Sequence, residues 1–164
     1  MKISLSRKAI NSLIDHAKKG YDKKYKIEVG GHLLGSNSEG IIYVSEAIPY
    51  RIQDAGRTFW NPNIVAFERK GKKLSSQKRK FWIGTYHSHT EIAGRASTRQ
   101  SPEDIDVHLF SLCSLEVIIR VSSGALNRPS DCLSYQDDED YYDICGYFKN
   151  PKNGKIRRIK CLER

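Results

Sequence analysis

The segment Leu115–Ser122 sets Val117, Ile118, Ile119 and Val121 almost side by side. Such a strongly apolar, β-branched run reads as a strand, and a strand needs a sheet to bury it. Other strand signals surround it. Tyr25–Leu34 and Gly40–Pro49 are apolar runs separated by the turn residues Gly35–Gly40, and Phe81–His89 is rich in aromatic and branched residues. Shorter runs follow at Cys132–Gln136, Tyr142–Phe148 and Ile156–Leu162. Helices interrupt them. Ser6 can cap one carrying Ile10, Leu13, Ile14 and Ala17 and stopping at Gly20. A second opens at Asn61-Pro62 and runs to about Lys70, ended at Gly71, and a third spans Ser101–Cys113. The elements mix without a regular βαβ beat, so the expected class is α+β, or a mixed sheet flanked by helices.

The chain of 164 residues suits one domain, 1–164, and no linker divides it. Its 38% hydrophobic and 29% charged residues are those of a globular protein. No apolar run approaches the roughly 20 residues that span a bilayer, and the first eight residues lack the apolar stretch of a secretion signal. A soluble cytoplasmic protein without a membrane partner is expected. Cys113, Cys132, Cys145 and Cys161 form no Cys-x-x-Cys pair and read as buried free thiols. Lys and Arg number 28 against 19 Asp and Glu, a net charge of +9 that favours acidic partners. The excess gathers at 69–73, 78–80 and 149–164, without a groove-reading motif, which disfavours specific nucleic-acid binding. The acidic run Asp137–Asp140 reads as a solvated loop.

Three segments carry chemistry. His87-Ser88-His89 ends a strand, and residues two apart on a strand face the same way, so both imidazoles can reach one ion. Ser101-Pro102-Glu103-Asp104 has the form of a helix cap, with Asp104 in the first turn and free to supply a carboxylate as well. Glu28 precedes Gly30-Gly31, and paired glycines mark close approach of other chain or a ligand. A general base needs such a rigid, open position. Of the other histidines, His16 reads as a surface residue, His32 as a satisfied structural histidine or one that tunes a site, and His108 as a support for metal ligands.

Together, Glu-x-Gly-Gly-x-Leu-x-Gly, then His-Ser-His, then Ser-x-x-Asp resembles the motif of the JAMM metalloproteases, the zinc-binding branch of the MPN-domain family. The resemblance implies an MPN-like (cytidine deaminase-like) α+β domain with a curved mixed sheet flanked by helices. It implies one zinc per chain on His87, His89 and Asp104, with water in the fourth position. Glu28 would take the water's proton and pass it to the leaving amine, and Ser101 would hydrogen-bond the oxyanion. Thr90–Gln100 is longer than the family's usual spacer. A shorter alignment would use Ser97 and Gln100, but Gln100 is a poor zinc ligand, so Ser101 and Asp104 with an inserted loop are preferred. Thr90 replaces the proline that commonly follows the second histidine.

The implied activity is a zinc metallopeptidase or isopeptidase cleaving after the C-terminal tail of a ubiquitin or ubiquitin-like protein, in deconjugation or precursor processing, including in antiphage defence. Partners would be the ubiquitin-like protein or its conjugates, with an accessory protein as a further candidate. The segment Thr58–Pro62 and the loop Thr90–Gln100 could grip the tail, or Phe59 and Trp60 would be ordinary core aromatics. The competing class is a catalytically silent scaffold or a basic nucleic-acid-binding module.

Overall fold

The computed structural model of the protein describes residues 1–124 and 126–164. It begins with β1 (Lys2–Leu5), α1 (Arg7–Tyr21), β2 (Gly30–Ser38), β3 (Ile41–Tyr50), α2 (Ile64–Lys78) and β4 (Phe81–Thr90). Then come α3 (Pro102–Phe110), β5 (Leu115–Ser122), β6 (Leu133–Gln136), β7 (Tyr141–Lys149), β8 (Ile156–Ile159) and β9 (Cys161–Glu163). The strands share one sheet in the order β6-β7-β5-β4-β2-β3-β1-β9, with β8 also on β7. β5 lies between β4, parallel, and β7, antiparallel, and all eight of its residues are buried.

The expected helix-flanked α+β domain is not what the chain forms. Among the described residues there are nine strands against three helices, and the sheet curls into a nearly closed barrel. The reason lies at the two ends of the sequence. Lys2–Leu5, which carries no strong strand signal, inserts between β3 and β9, in parallel with each. The sheet therefore gains an edge from the C-terminus, and its far end comes round to meet it. Tyr135 on β6 donates to the Glu163 carboxylate on β9 at 2.8 Å, and Cys161 N–H donates to Asp131 O at 2.8 Å.

α1 fills the core of the curl. Its Ile10, Leu13 and Ala17, at helical spacing, are completely buried with Ile3, Leu5, Leu33, Val117 and Ile119. Ser6 caps it, accepting from Ala9 N–H. α2 continues past the expected stop at Gly71 because that glycine is a packing site. A Cβ there would stand 2.6 Å from the Trp82 ring. The helix ends instead at Arg79, in the left-handed region at φ 52°.

The β6–β7 hairpin also changes the cysteine reading. Pairing of Leu133 with Ile144 sets Cys132 opposite Cys145, and the two are joined in a disulfide. Cys113 and Cys161 are buried and free. In the acidic run, Asp137 is tied down by Lys18, by the Tyr142 hydroxyl and by the N–H groups of Glu139 and Asp140. Among the described residues no helix is long and apolar enough to cross a membrane.

Candidate metal centre

β4 is held on both sides, by β2 and β5, so the backbone carrying His87 and His89 is fixed. The two side chains leave the same face of the strand. Their Nε2 atoms stand 3.0 Å apart. α3 starts beside them, its first turn locked by a complete capping box. Ser101 Oγ accepts from Asp104 N–H at 3.1 Å, and Asp104 Oδ2 accepts from Ser101 N–H at 2.7 Å. The cap and the site use one carboxylate. Asp104 Oδ1 lies 3.2 Å from His87 Nε2, and Oδ2 lies 3.2 Å from His89 Nε2. The ligand atoms of His87, His89 and Asp104 all fall within 4.8 Å of one another.

The donor set fits a metal ion. His87 Nδ1 is 3.2 Å from Glu116 Oε1, and His89 Nδ1 is 3.0 Å from the Ser97 carbonyl oxygen. Each acceptor draws the ring proton to Nδ1 and leaves the Nε2 lone pair bare. Two such lone pairs and a carboxylate then face one another closely enough to hold a cation between them. Without an ion, the same carboxylates favour a proton on His87 Nε2, which a metal would displace. Burial disfavours charge on His87, yet Asp104 and Glu116 outweigh it and raise the imidazole well above its ordinary value. Burial likewise works against the Asp104 carboxylate, but the His87 and His89 hydrogen bonds hold it far below its ordinary range. Two nitrogens and one oxygen suit zinc, and three protein ligands leave a position open.

Glu28 lies just outside β2, not within a strand as expected. Val29 exchanges hydrogen bonds with Ser88, N–H to Oγ at 2.9 Å and O from Ser88 N–H at 2.8 Å. Ser88 stands between the two histidines, so this clasp sets Glu28 against the centre. Its carboxyl is pushed up to about 8, mainly by burial, with His87 pulling it down and Asp104 pushing it up. The paired glycines next to it admit an aromatic ring. A Cβ on Gly30 would meet the Trp60 indole and the Tyr86 carbonyl oxygen, each at 2.6 Å.

The long Thr90–Gln100 loop provides support. It brings the Ser97 carbonyl to His89, and Gln100 donates to Glu116 and, at 2.9 Å, to His108 Nδ1. His108 therefore stands one residue further from the centre than a direct support would, its Nε2–H donating to Ser114 O at 3.1 Å. The direct support is Glu116, which sequence reasoning missed. An acid inside the apolar run of β5 is the signal that could have found it, because buried charges require partners.

Two other histidines differ from expectation. His16 is half-buried, not a surface residue, and its Nδ1 lies 2.9 Å from the Tyr86 hydroxyl. His32 is structural but not satisfied: among the described residues, neither ring nitrogen has a partner. It stacks on Phe67 with ring centres 4.0 Å apart and meets Tyr50 and Trp82 edge-on. Burial depresses its pKa to about 4, so it packs as a neutral ring.

Compared by sequence, the chain matches no protein-family model and no curated protein. Compared by structure, it is similar to protein DSY2949 from Desulfitobacterium hafniense, known from a solution structure. That match covers 99% of this chain and 92% of the other, at 13% identity and a TM-score of 0.64. At such identity the likeness establishes a shared fold and nothing about chemistry.

Proposed function

We propose that this chain is a zinc-dependent peptidase or isopeptidase, with one ion per chain held by His87, His89 and Asp104. The observation that carries the proposal is the convergence of these three ligands, from a rigid strand and a capped helix, with the buried Glu28 beside them. Zinc bound there would act as a Lewis acid, polarising a carbonyl and making water nucleophilic near neutral pH.

The chain's own residues supply the rest. Glu28 accepts the proton of the attacking water and returns it to the leaving amine, a role served by a carboxyl whose burial raises it towards neutrality. Ser101 Oγ uses a lone pair on Asp104 N–H, which leaves its hydroxyl hydrogen to donate to the oxyanion. Glu116 and the Ser97 carbonyl hold the two imidazoles in the required tautomer.

The substrate class proposed is the C-terminal tail of a ubiquitin-like protein, joined to a following peptide or to a lysine amine, in the cytoplasm. The motif of Glu28, His87, His89, Ser101 and Asp104 supports this, as does a net charge of +9 suited to an acidic partner. The test is incubation of the zinc-loaded chain with ubiquitin-like fusions and conjugates, beside its Glu28→Gln variant. Cleavage by the first alone is expected. Cleavage by neither, with steeply salt-dependent nucleic-acid binding, would point to a binding module instead.

A further inference from the structure

A cavity of about 320 Å³ opens between α2 and α3, and His87 and Asp104 are among the residues that line it. Three aromatic rings, Trp60, Phe67 and Trp82, line the α2 side, and Val107 and Phe110 line the α3 side. The rings support one another. Phe67 meets Trp60 at 5.3 Å and Trp82 at 6.2 Å, each nearly perpendicular, and its other face is stacked by His32. Such a scaffold is rigid before any ligand arrives.

Where the cavity opens, its apolar edge is exposed to solvent. Ile64 and Val65 at the start of α2, and Val107 and Phe110 on α3, are 46 to 87% exposed. His108 is the only buried residue of α3, so this helix presents its apolar side chains to solvent and not to the core. Isolated exposed apolar residues are ordinary, but a patch that surrounds a preformed aromatic cavity is not.

We infer that this cavity is a specificity pocket for a bulky apolar side chain of the substrate polypeptide, close to the scissile bond. The inference rests on the metal-hydrolase reading, because shared His87 and Asp104 make the cavity and the centre continuous. Whatever fills the one must therefore adjoin the group attacked at the other. The apolar rim calls for a polypeptide, since a small molecule would fill the cavity and leave the rim bare. Leu, Met, Phe or Trp suits such a lining, and Gly or Asp does not, the latter because Glu68, Asp104, Asp106 and Glu116 also line it.

Trp60 and Trp82 are the only tryptophans of the chain, so its intrinsic fluorescence reports on this pocket. The probe is a panel of ten-residue peptides with a central Gly-Gly, in which Phe, Leu, Ala or Asp is scanned through every other position. Each is titrated into zinc-loaded Glu28→Gln protein, and each is offered to zinc-loaded wild type. At one position, Phe or Leu is expected to shift the emission and bind at least about tenfold more tightly than Ala, the scale of one buried apolar side chain. Val107→Arg, at the mouth, should keep its zinc and lose that discrimination.

Equal binding of Phe, Leu, Ala and Asp at every position would overturn the pocket, even if the wild type cleaves the peptides. Discrimination without cleavage would uphold the pocket and count against the hydrolase. Discrimination that survives Val107→Arg would place the apolar site elsewhere and overturn the inference.

Discussion

The Glu116 carboxylate lies 3.2 Å from Nδ1 of His87, on the opposite edge of the ring from the Nε2 that faces Asp104. Glu116 is almost fully buried in β5 and is also bound by Gln100, so its position is determined from two directions. Removing it would free the imidazole to rotate and to change tautomer. Glu116→Ala should weaken zinc binding by about 10- to 100-fold, measured by competition with a chelator. Glu116→Gln, whose carbonyl oxygen can still accept from Nδ1–H, should recover much of that loss. An Ala variant that binds zinc as the wild type does would mean that β4 alone orients His87.

Glu28→Gln should keep zinc and lower turnover by about 10²- to 10⁴-fold, the usual contribution of a general base. The substitution also has a pH signature in metal-free protein. Burial raises the Glu28 carboxyl from an unfolded value of about 4.3 to about 8 in the fold. A raised acid favours the folded state when protonated. That contribution is complete below the unfolded value and is lost as pH rises through about 8. Gln does not titrate, so the variant's Tm advantage over wild type should grow from about pH 5 to about pH 9. A gap that stays constant would show that Glu28 is not held in a desolvated position.

Ser101 combines a cap acceptor with a hydroxyl hydrogen, and the two can be separated. Glycine is a tolerable N-cap, so Ser101→Gly should cost only a few tenths of a kcal/mol in stability. It also removes the oxyanion donor, and kcat should fall by about 10²- to 10³-fold. Ser101→Thr, which retains both functions, should stay close to wild type. If the glycine variant turned over normally, Ser101 would be a cap and nothing more.

Gly30→Ala tests the close approach of Trp60 to β2. The added methyl would stand 2.6 Å from the Tyr86 carbonyl oxygen, which belongs to the central strand and cannot retreat. A loss of about 1–3 kcal/mol is expected from such overpacking, read by denaturant unfolding, together with a changed tryptophan emission as Trp60 is displaced. Unaltered stability and emission would contradict the packing described.

The site was more legible in the sequence than the fold that carries it. His87 and His89 follow from strand periodicity, and Ser101 to Asp104 from cap chemistry, because both rules act over a few residues. Closure of the sheet depends on pairing between Lys2–Leu5 and Cys161–Glu163, at opposite ends of the chain, and no local pattern encodes it. The Cys132–Cys145 disulfide spans only 13 residues, but it depends on the β6–β7 register that sets the two cysteines opposite each other, and cysteine spacing alone does not show that register. Gly71 misled for a related reason. Read locally it stops a helix, whereas in the fold it makes room for Trp82. Glu116 was visible but unread, as a charge set in an apolar strand with no partner nearby in sequence.

If His87, His89 and Asp104 form one metal centre, the metal content of the chain depends on Asp104. Purified wild type and Asp104→Ala should be compared for zinc by elemental analysis, with circular dichroism to confirm that both are folded. The wild type should carry about one zinc per chain, and the folded variant almost none. A wild type without zinc, or a variant that keeps it all, would reduce Asp104 to half of a capping box with no part in a metal centre.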